Sequence, residues 1–252
     1  MILYKYLPFD RNSYFENELL RFTQPEDLND PFECLPQKPK KGEFTDAIRL
    51  LTQMISNGNQ KFEEFGVQKF NDEFIENLFE QAYQEINNEV GILSLTKNWN
   101  NSLMWAHYTN SHKGFCVGFD SNHDFFKDYL SEDKKYSRNT KDVVYSERRV
   151  KIPITLTEPE LSFEPFLTKS VDWRYEEEVR VISTFNLSEK TIHKIPNSIH
   201  LFKVPHSAIS EIILGINIDK DIETKIRAFA VKKKITIYKT KISDTEFDME
   251  RV

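Results

Sequence analysis

The stretch Trp173-Arg-Tyr-Glu-Glu-Glu-Val-Arg-Val-Ile182 sets three carboxylates between an aromatic pair and an aliphatic run. Val and Ile favour pleated, half-buried backbone, so the segment reads as the leading end of a strand. On an extended chain Glu176, Glu178 and Arg180 share one face, and Glu177, Val179 and Val181 share the other. A face carrying Glu-x-Glu-x-Arg is costly to bury unless its charges are paired or meet a polar ligand. Two carboxylates about 7 Å apart on one strand face can divide their labour. One can hold sugar hydroxyls while the other stabilises positive charge developing at a reacting carbon. The alternative is an edge strand whose charges discourage aggregation. Lys169, Trp173 and Tyr175 close by distinguish the segment from an ordinary charged edge.

Around this strand the pattern is mixed. Residues 2–6 alternate as a short strand, with Tyr4 and Tyr6 on one face and Leu3 and Lys5 on the other. A helical piece spans about 14–20, and a second strand over 20–25 is broken by proline. In Asn29-Asp30-Pro31-Phe32-Glu33 the proline keeps Asp30 out of the helical region, and the short Asn and Asp side chains bond nearby amides. That turn is either a structural corner or a device offering Asp30 or Glu33 to a pocket. Apolar residues then recur every three or four positions from Phe44 to about Val90, interrupted at Ser56-Asn57-Gly58-Asn59, which predicts a helical insertion over about 43–90.

Strands are expected at 91–95 and 114–119 with a helix over 102–108 between them. A short helix near 123–130 leads into a charged surface loop over 131–142. Further strands follow at 142–145, 178–185, 200–204 and 211–214, then a helix over 220–233 and a strand over 235–239. The expectation is an α+β fold, one domain over 1–252 with a mixed or split β-sheet and a helical insertion.

Composition narrows the function classes. The 252 residues include 20 Phe, which fits a folded chain. A net charge of −6 disfavours non-specific DNA binding. Cys34 and Cys116 stand far apart without metal-ligand spacing and read as buried thiols in a reducing cytoplasm. The first residues turn polar too quickly for a signal peptide, and no run approaches the roughly 20 apolar residues of a membrane span. The expected location is cytoplasmic.

The segment Ser102–Asp120 carries the other candidate groups. Trp105 reads as core, which leaves Tyr108 and His112 near the helix end. His107 and His112 are not at i, i+4 spacing, and Gly114 separates His112 from Cys116, so a zinc site is not expected.

Tyr4-Lys5-Tyr6, the turn Asn29–Glu33, Met104-Trp-Ala-His-Tyr with His112-Lys-Gly-Phe, and Trp173-x-Tyr-Glu-x-Glu-x-Arg180 together resemble the signature of a bacterial family, domain of unknown function 2971. That resemblance implies an accessory role such as phage defence or a toxin-like effector. A more distant similarity is to ADP-ribosyltransferases, in which a split sheet cradles NAD and a late strand carries Glu-x-Glu. It implies that Glu178 holds the nicotinamide ribose and stabilises an oxocarbenium ion, and that Glu176 positions or deprotonates the acceptor. Tyr4, Lys5 or Tyr6 would grip NAD from the first strand. Trp105, His107 and Tyr108 would stand in for the family's middle-strand motif, with His107 as a further catalytic candidate, and Arg180 would join the NAD-binding set. The implied partners are a small nucleotide ligand and a protein or nucleic-acid acceptor.

Two other readings stay open. One is a metal-dependent enzyme acting on nucleic acid through Asp30, His107, Glu176 and Glu178. The other is a non-catalytic binding or sensor module whose carboxylate–arginine pairs fix the sheet. The enzyme reading requires Tyr4, Lys5, Tyr6, His107, Tyr108, Glu176 and Glu178 to surround one pocket.

Overall fold

A computed structural model describes residues 1–37, 72–151 and 163–252. Its strands in the first half are β1 (Ile2–Leu7), β2 (Leu19–Phe22), β3 (Val90–Thr96), β4 (Phe115–Asp120), β5 (Tyr129–Leu130), β6 (Ser137–Asp142) and β7 (Val144–Ser146). The second half adds β8 (Thr168–Ser170), β9 (Glu178–Thr184), β10 (Lys190–Ile192), β11 (Ile199–Lys203), β12 (Ile209–Leu214), β13 (Thr236–Ile242) and β14 (Met249–Arg251). Helices are α1 (Tyr14–Asn17), α2 (Asp72–Glu89), α3 (Ser102–Tyr108), α4 (Glu164–Leu167) and α5 (Lys220–Lys233). A mixed nine-stranded sheet runs β14-β13-β12-β4-β1-β3-β9-β6-β5, accompanied by a three-stranded sheet β10-β11-β2 and a parallel pair β7-β8. The fold is α+β.

Period-two alternation in β1 feeds two cores. Leu3 and Leu7 join Phe15, Phe115, Val117 and Phe119, while Tyr4 and Tyr6 join Met104, Trp105, Cys116, Ile213 and Met249 on the opposite face. β4 reads Phe-Cys-Val-Gly-Phe without alternation because β1 and β12 flank it and both of its faces are covered. A Cβ at Gly118 would stand 2.8 Å from Ile2 and 2.9 Å from the Tyr4 ring, so glycine there lets that ring approach β4 closely. α3 is capped by Asn101, whose Oδ1 accepts from Met104 N, and α5 by Asp219, which accepts from Asp221 N and Ile222 N.

The sheet divides between β1 and β3. β1 pairs with β4 from Ile2↔Asp120 through Leu7↔Phe115, and β3 pairs with β9 from Val90↔Thr184 through Thr96↔Glu178. β1 and β3 meet in register only at Tyr4↔Thr96. Beyond that point the strands splay, and the Lys5 ammonium donates to Ser94 O at 2.9 Å across the gap.

Several expectations change. The charged run placed in a surface loop over 131–142 contains β6, which pairs with β9 from Arg138↔Ser183 to Asp142↔Val179. Its side chains are polar because it lies next to the sheet's edge, covered only by β5, so it carries no apolar pattern to read. The helix expected near 123–130 is a single 3-10 turn, Asp124–Phe126, followed by β5. Of the helical insertion, α2 lies within the described residues and 43–71 lies outside them. Both cysteines are free and buried, and burial pushes the Cys34 thiol up to about 12. No helix among the described residues is long and apolar enough to cross a membrane.

Candidate functional site

The strand bearing the acidic pair starts later than its sequence pattern suggests. A 3-10 helix over Val171–Glu176 ends on Glu177, whose φ of 43° is left-handed, and β9 begins at Glu178. Glu176 therefore does not lie on the strand beside Glu178. The two carboxylates converge from a helix end and a strand start, because the left-handed residue between them turns the chain and leaves Glu177 exposed. Backbone bonds hold that turn in place. Thr96 Oγ1 donates to Glu176 O, Lys97 N donates to Glu177 O at 3.2 Å, and Glu178 N donates to the Tyr145 hydroxyl at 2.7 Å.

Behind the turn lies a buried ion cluster. Glu176 and Glu178 are 3% and 4% exposed, Glu33 is 4%, Lys169 is 5% and Arg180 is 0%. Lys169 Nζ lies 2.6 Å from Glu176 Oε2, 3.2 Å from Glu178 Oε2 and 3.0 Å from Glu33 Oε1. Arg180 donates through Nε to Glu178 Oε1 at 2.8 Å, through one Nη to Glu178 Oε2 at 3.1 Å and also to Glu33 Oε2, and through the other to Phe166 O at 2.7 Å. Tyr108 donates its hydroxyl to Glu176 Oε1. Each carboxylate thus touches a cation, the three glutamates sharing Lys169 and Arg180, which lowers the cost of burying so many charges.

The same geometry separates the protonation behaviour of these groups. Burial alone would push the Glu178 carboxyl up, but Arg180 and Lys169 outweigh it and bring it down to about 2. For Glu33 burial prevails over Arg180 and Lys169, and its carboxyl sits above the ordinary value. Burial also disfavours the Lys169 ammonium, yet Glu178, Glu33 and Glu176 hold it above the lysine range. At Lys5 burial dominates, lowering the ammonium despite Glu178 and Glu176.

On the cluster's β1 side, at the split in the sheet, is a cleft of about 210 Å³. Tyr4, Lys5, Tyr6, Tyr108, Glu176 and Glu178 all line it. The tyrosines of β1 anchor its wall rather than offer it their hydroxyls, since Tyr4 donates to Glu211 Oε1 at 2.9 Å and Tyr6 to Asn98 O at 3.1 Å.

Three other candidates lie elsewhere. Trp105 is wholly buried, donates Nε1 to Trp99 O at 2.8 Å and packs edge-on against Tyr6 at 5.1 Å, so it supports the wall without facing the cleft. His107 is exposed and outside the lining because α3 turns it away from Tyr108, the residue that points inward. Arg180 sits behind Glu178 rather than in the lining. Ser94 and Thr96 line the cleft although the sequence reading passed over them. The signal was available in Leu93-Ser94-Leu95-Thr96, where alternation sets two small polar residues on one strand face. Among the described residues no three His, Cys, Asp or Glu side chains converge as a metal ion would require.

No curated protein and no solved structure matches the chain. Residues 104–181, from α3 to Val181 in β9, match the family model described as a protein of unknown function, DUF2971. The match supports the resemblance to that family and brings no activity with it.

Proposed function

We propose that the cleft at the β1–β3 split takes the ribose of a nicotinamide nucleotide, and that the chain is an ADP-ribosyltransferase or NAD glycohydrolase. The observation that carries this reading is convergence. First-strand Lys5, Tyr108 from α3, and the pair Glu176 and Glu178 line one cavity where two halves of a sheet part. At about 210 Å³ the cleft falls below the roughly 300 Å³ at which sites for whole ligands begin. It therefore fits the nicotinamide–ribose end of a dinucleotide, with the remainder outside.

The reaction breaks the bond between ribose C1′ and the nicotinamide nitrogen, and the bonding pair leaves with nicotinamide. Water or an acceptor hydroxyl or amine then adds at C1′ and gives up one proton. Glu178, ionised and held from behind by Arg180, presents a fixed carboxylate beside the developing oxocarbenium charge. Glu176 shares its oxygens between Tyr108 and Lys169, with no guanidinium upon it, and is the carboxylate better able to take the acceptor's proton.

The test is incubation of the purified chain with NAD, following nicotinamide release. The expected outcome is turnover that falls by about 10²-fold or more in Glu176→Gln, measured at a temperature where the variant, weakened by loss of its Lys169 ion pair, is still fully folded. NAD left intact by folded protein across protein and nucleic-acid acceptors rejects the reading.

One observation favours a second reading. Both Glu178 oxygens are already engaged by Arg180 and Lys169, which suits a binding or sensor module whose cluster only fixes the cleft. In that case Glu178→Gln lowers stability, and ligand binding simply follows the folded fraction.

A further inference from the structure

On the far side of the ion cluster is a second, larger concavity of about 620 Å³, within the range of small-molecule sites. It shares Glu33 and Lys169 with the cleft, so the cluster is a wall common to both. Trp173 and Tyr175 form one side, their rings 6.1 Å apart and inclined by 37°, and Lys169 Nζ lies 4.8 Å from the Trp173 centroid. Phe32, held by the bond from its N to Asp30 Oδ1, contributes a ring left 64% exposed. Arg148 and Arg149 are exposed in the same lining, and neither guanidinium has an ion-pair partner among the described residues. Their backbone is held firmly. Ser146 Oγ accepts from Arg148 N at 3.1 Å and donates to Arg148 O at 2.8 Å, and Gln37 N donates to Val150 O at 2.7 Å.

Of the acidic groups in the lining, Asp30 is engaged by Phe32 N and Asp172 by Ser170, whereas Glu147 is exposed beside the arginines and offsets one of them. Carboxylates are not scarce in the lining, and Lys169 is spent on the glutamates of the cluster, so the cationic character is local to Arg148 and Arg149. Glu33 Oε1 is buried, 3.0 Å from Lys169 Nζ as an ion pair, and has no hydrogen-bond partner among the described residues, so it retains hydrogen-bonding capacity. The exposed Phe32 ring beside the half-buried Trp173, two guanidiniums without an ion-pair partner among the described residues, and a carboxyl oxygen without a hydrogen bond suit a planar base, a phosphate and a sugar or base-edge polar group respectively.

We propose that this concavity is a second ligand site, for a phosphorylated nucleoside, with its ring at Phe32 and Trp173 and its phosphate at Arg148 and Arg149. The site goes beyond the reaction assigned to the cleft and does not depend on it. Trp173 supplies the readout, because stacking of a base changes its fluorescence. The chain is titrated with 5′-AMP, 5′-UMP, adenosine, inorganic phosphate and a 5′-phosphorylated single-stranded oligonucleotide.

Saturable quenching by the mononucleotides is expected, with adenosine and phosphate each weaker by about tenfold or more. The Arg148→Ala/Arg149→Ala variant should lose about tenfold in affinity, Glu147→Gln should gain about twofold, and Trp173→Phe should lose the signal while calorimetry still detects binding. Equal affinity for the oligonucleotide identifies a nucleic-acid end as the source, and binding of free nucleotides alone identifies a metabolite. Glu176→Gln should change this binding by no more than about threefold whether or not the cleft turns over NAD, because Glu176 reaches the larger cavity only through Lys169. Absence of saturable binding to folded protein overturns the proposal. So does binding that Glu176→Gln abolishes and Arg148→Ala/Arg149→Ala leaves intact, since the ligand then sits in the cleft.

Discussion

Replacing Arg180 by Met removes the guanidinium from Glu178 and Glu33 while keeping much of the side chain's volume. Arg180 is fully buried, so water cannot take its place at either carboxylate. The Glu178 carboxyl lies at about 2 against an ordinary 4.5, and the difference of about 2.5 units corresponds to roughly 3 kcal/mol of stability at neutral pH. That gain comes from Arg180 and Lys169 acting against burial. Without Arg180 the burial cost remains and the larger compensating charge is gone. A loss of about 3–5 kcal/mol at pH 7 is therefore expected, the range found when one partner of a buried pair is removed.

The pH dependence gives the sign. In the parent chain the depressed Glu178 carboxyl stabilises the fold fully above about pH 4.5, and this contribution disappears as pH falls toward 2. In Arg180→Met the folded-state value rises above the unfolded one, so Glu178 destabilises at neutral pH and the penalty fades on acidification. Glu33, already raised by burial, shifts the same way. The gap between variant and parent should narrow steadily from pH 7 to pH 4 in urea melts. Adding Glu178→Gln to Arg180→Met should recover about 1 kcal/mol or more, because the orphaned charge is removed. A loss below about 1 kcal/mol at pH 7, or a gap that does not change with pH, would refute electrostatic coupling in this cluster.

Further outcomes follow from the same geometry. Tyr108→Phe deletes the hydroxyl that reaches Glu176, and should cost about 1–2 kcal/mol in chemical denaturation while weakening NAD turnover. Glu177→Gly should raise the melting temperature or leave it unchanged, with a gain of up to about 1 kcal/mol, because φ of 43° is free for glycine; Glu177→Val should lower it. Trp105→Ala should cost about 3–5 kcal/mol by opening the wall behind Tyr6, whereas His107→Ala should change stability by less than about 0.5 kcal/mol and leave turnover intact.

How far the sequence carries the reading depends on which residues signal their surroundings. α3 and α5 were legible because their apolar spacing and their caps, Asn101 and Asp219, agree with one another. β6 was not, since a strand whose neighbours leave it polar on both faces looks like a loop until its partner β9 is known. The meeting of Glu176 and Glu178 was anticipated by the wrong route. An i, i+2 pattern cannot announce that Glu177 adopts a left-handed turn, because Glu is not a residue selected for that region. The role of Glu33 depends on a pairing 147 positions away with Arg180, which nothing local encodes.

The same long-range pairing fixes Glu33, which lines both cavities. Well-packed apolar residues can fix a sheet as well as a buried ion pair does, often with greater stability. What apolar residues cannot do is present charge to both sides of a wall. Lys169 and Glu33 line both cavities, and Lys169 is shared by all three carboxylates. An anion or a hydrogen-bond donor arriving in the larger cavity must therefore alter the field at Glu176 and Glu178 across only a few bonds of salt-bridge contact. Lys169→Met breaks that link. It should cost stability of the order seen for Arg180→Met and, in addition, abolish any effect of a mononucleotide in the larger cavity on the chemistry of the cleft. If mononucleotide still changes NAD turnover in folded Lys169→Met protein, the coupling runs by another path and the wall is structural only.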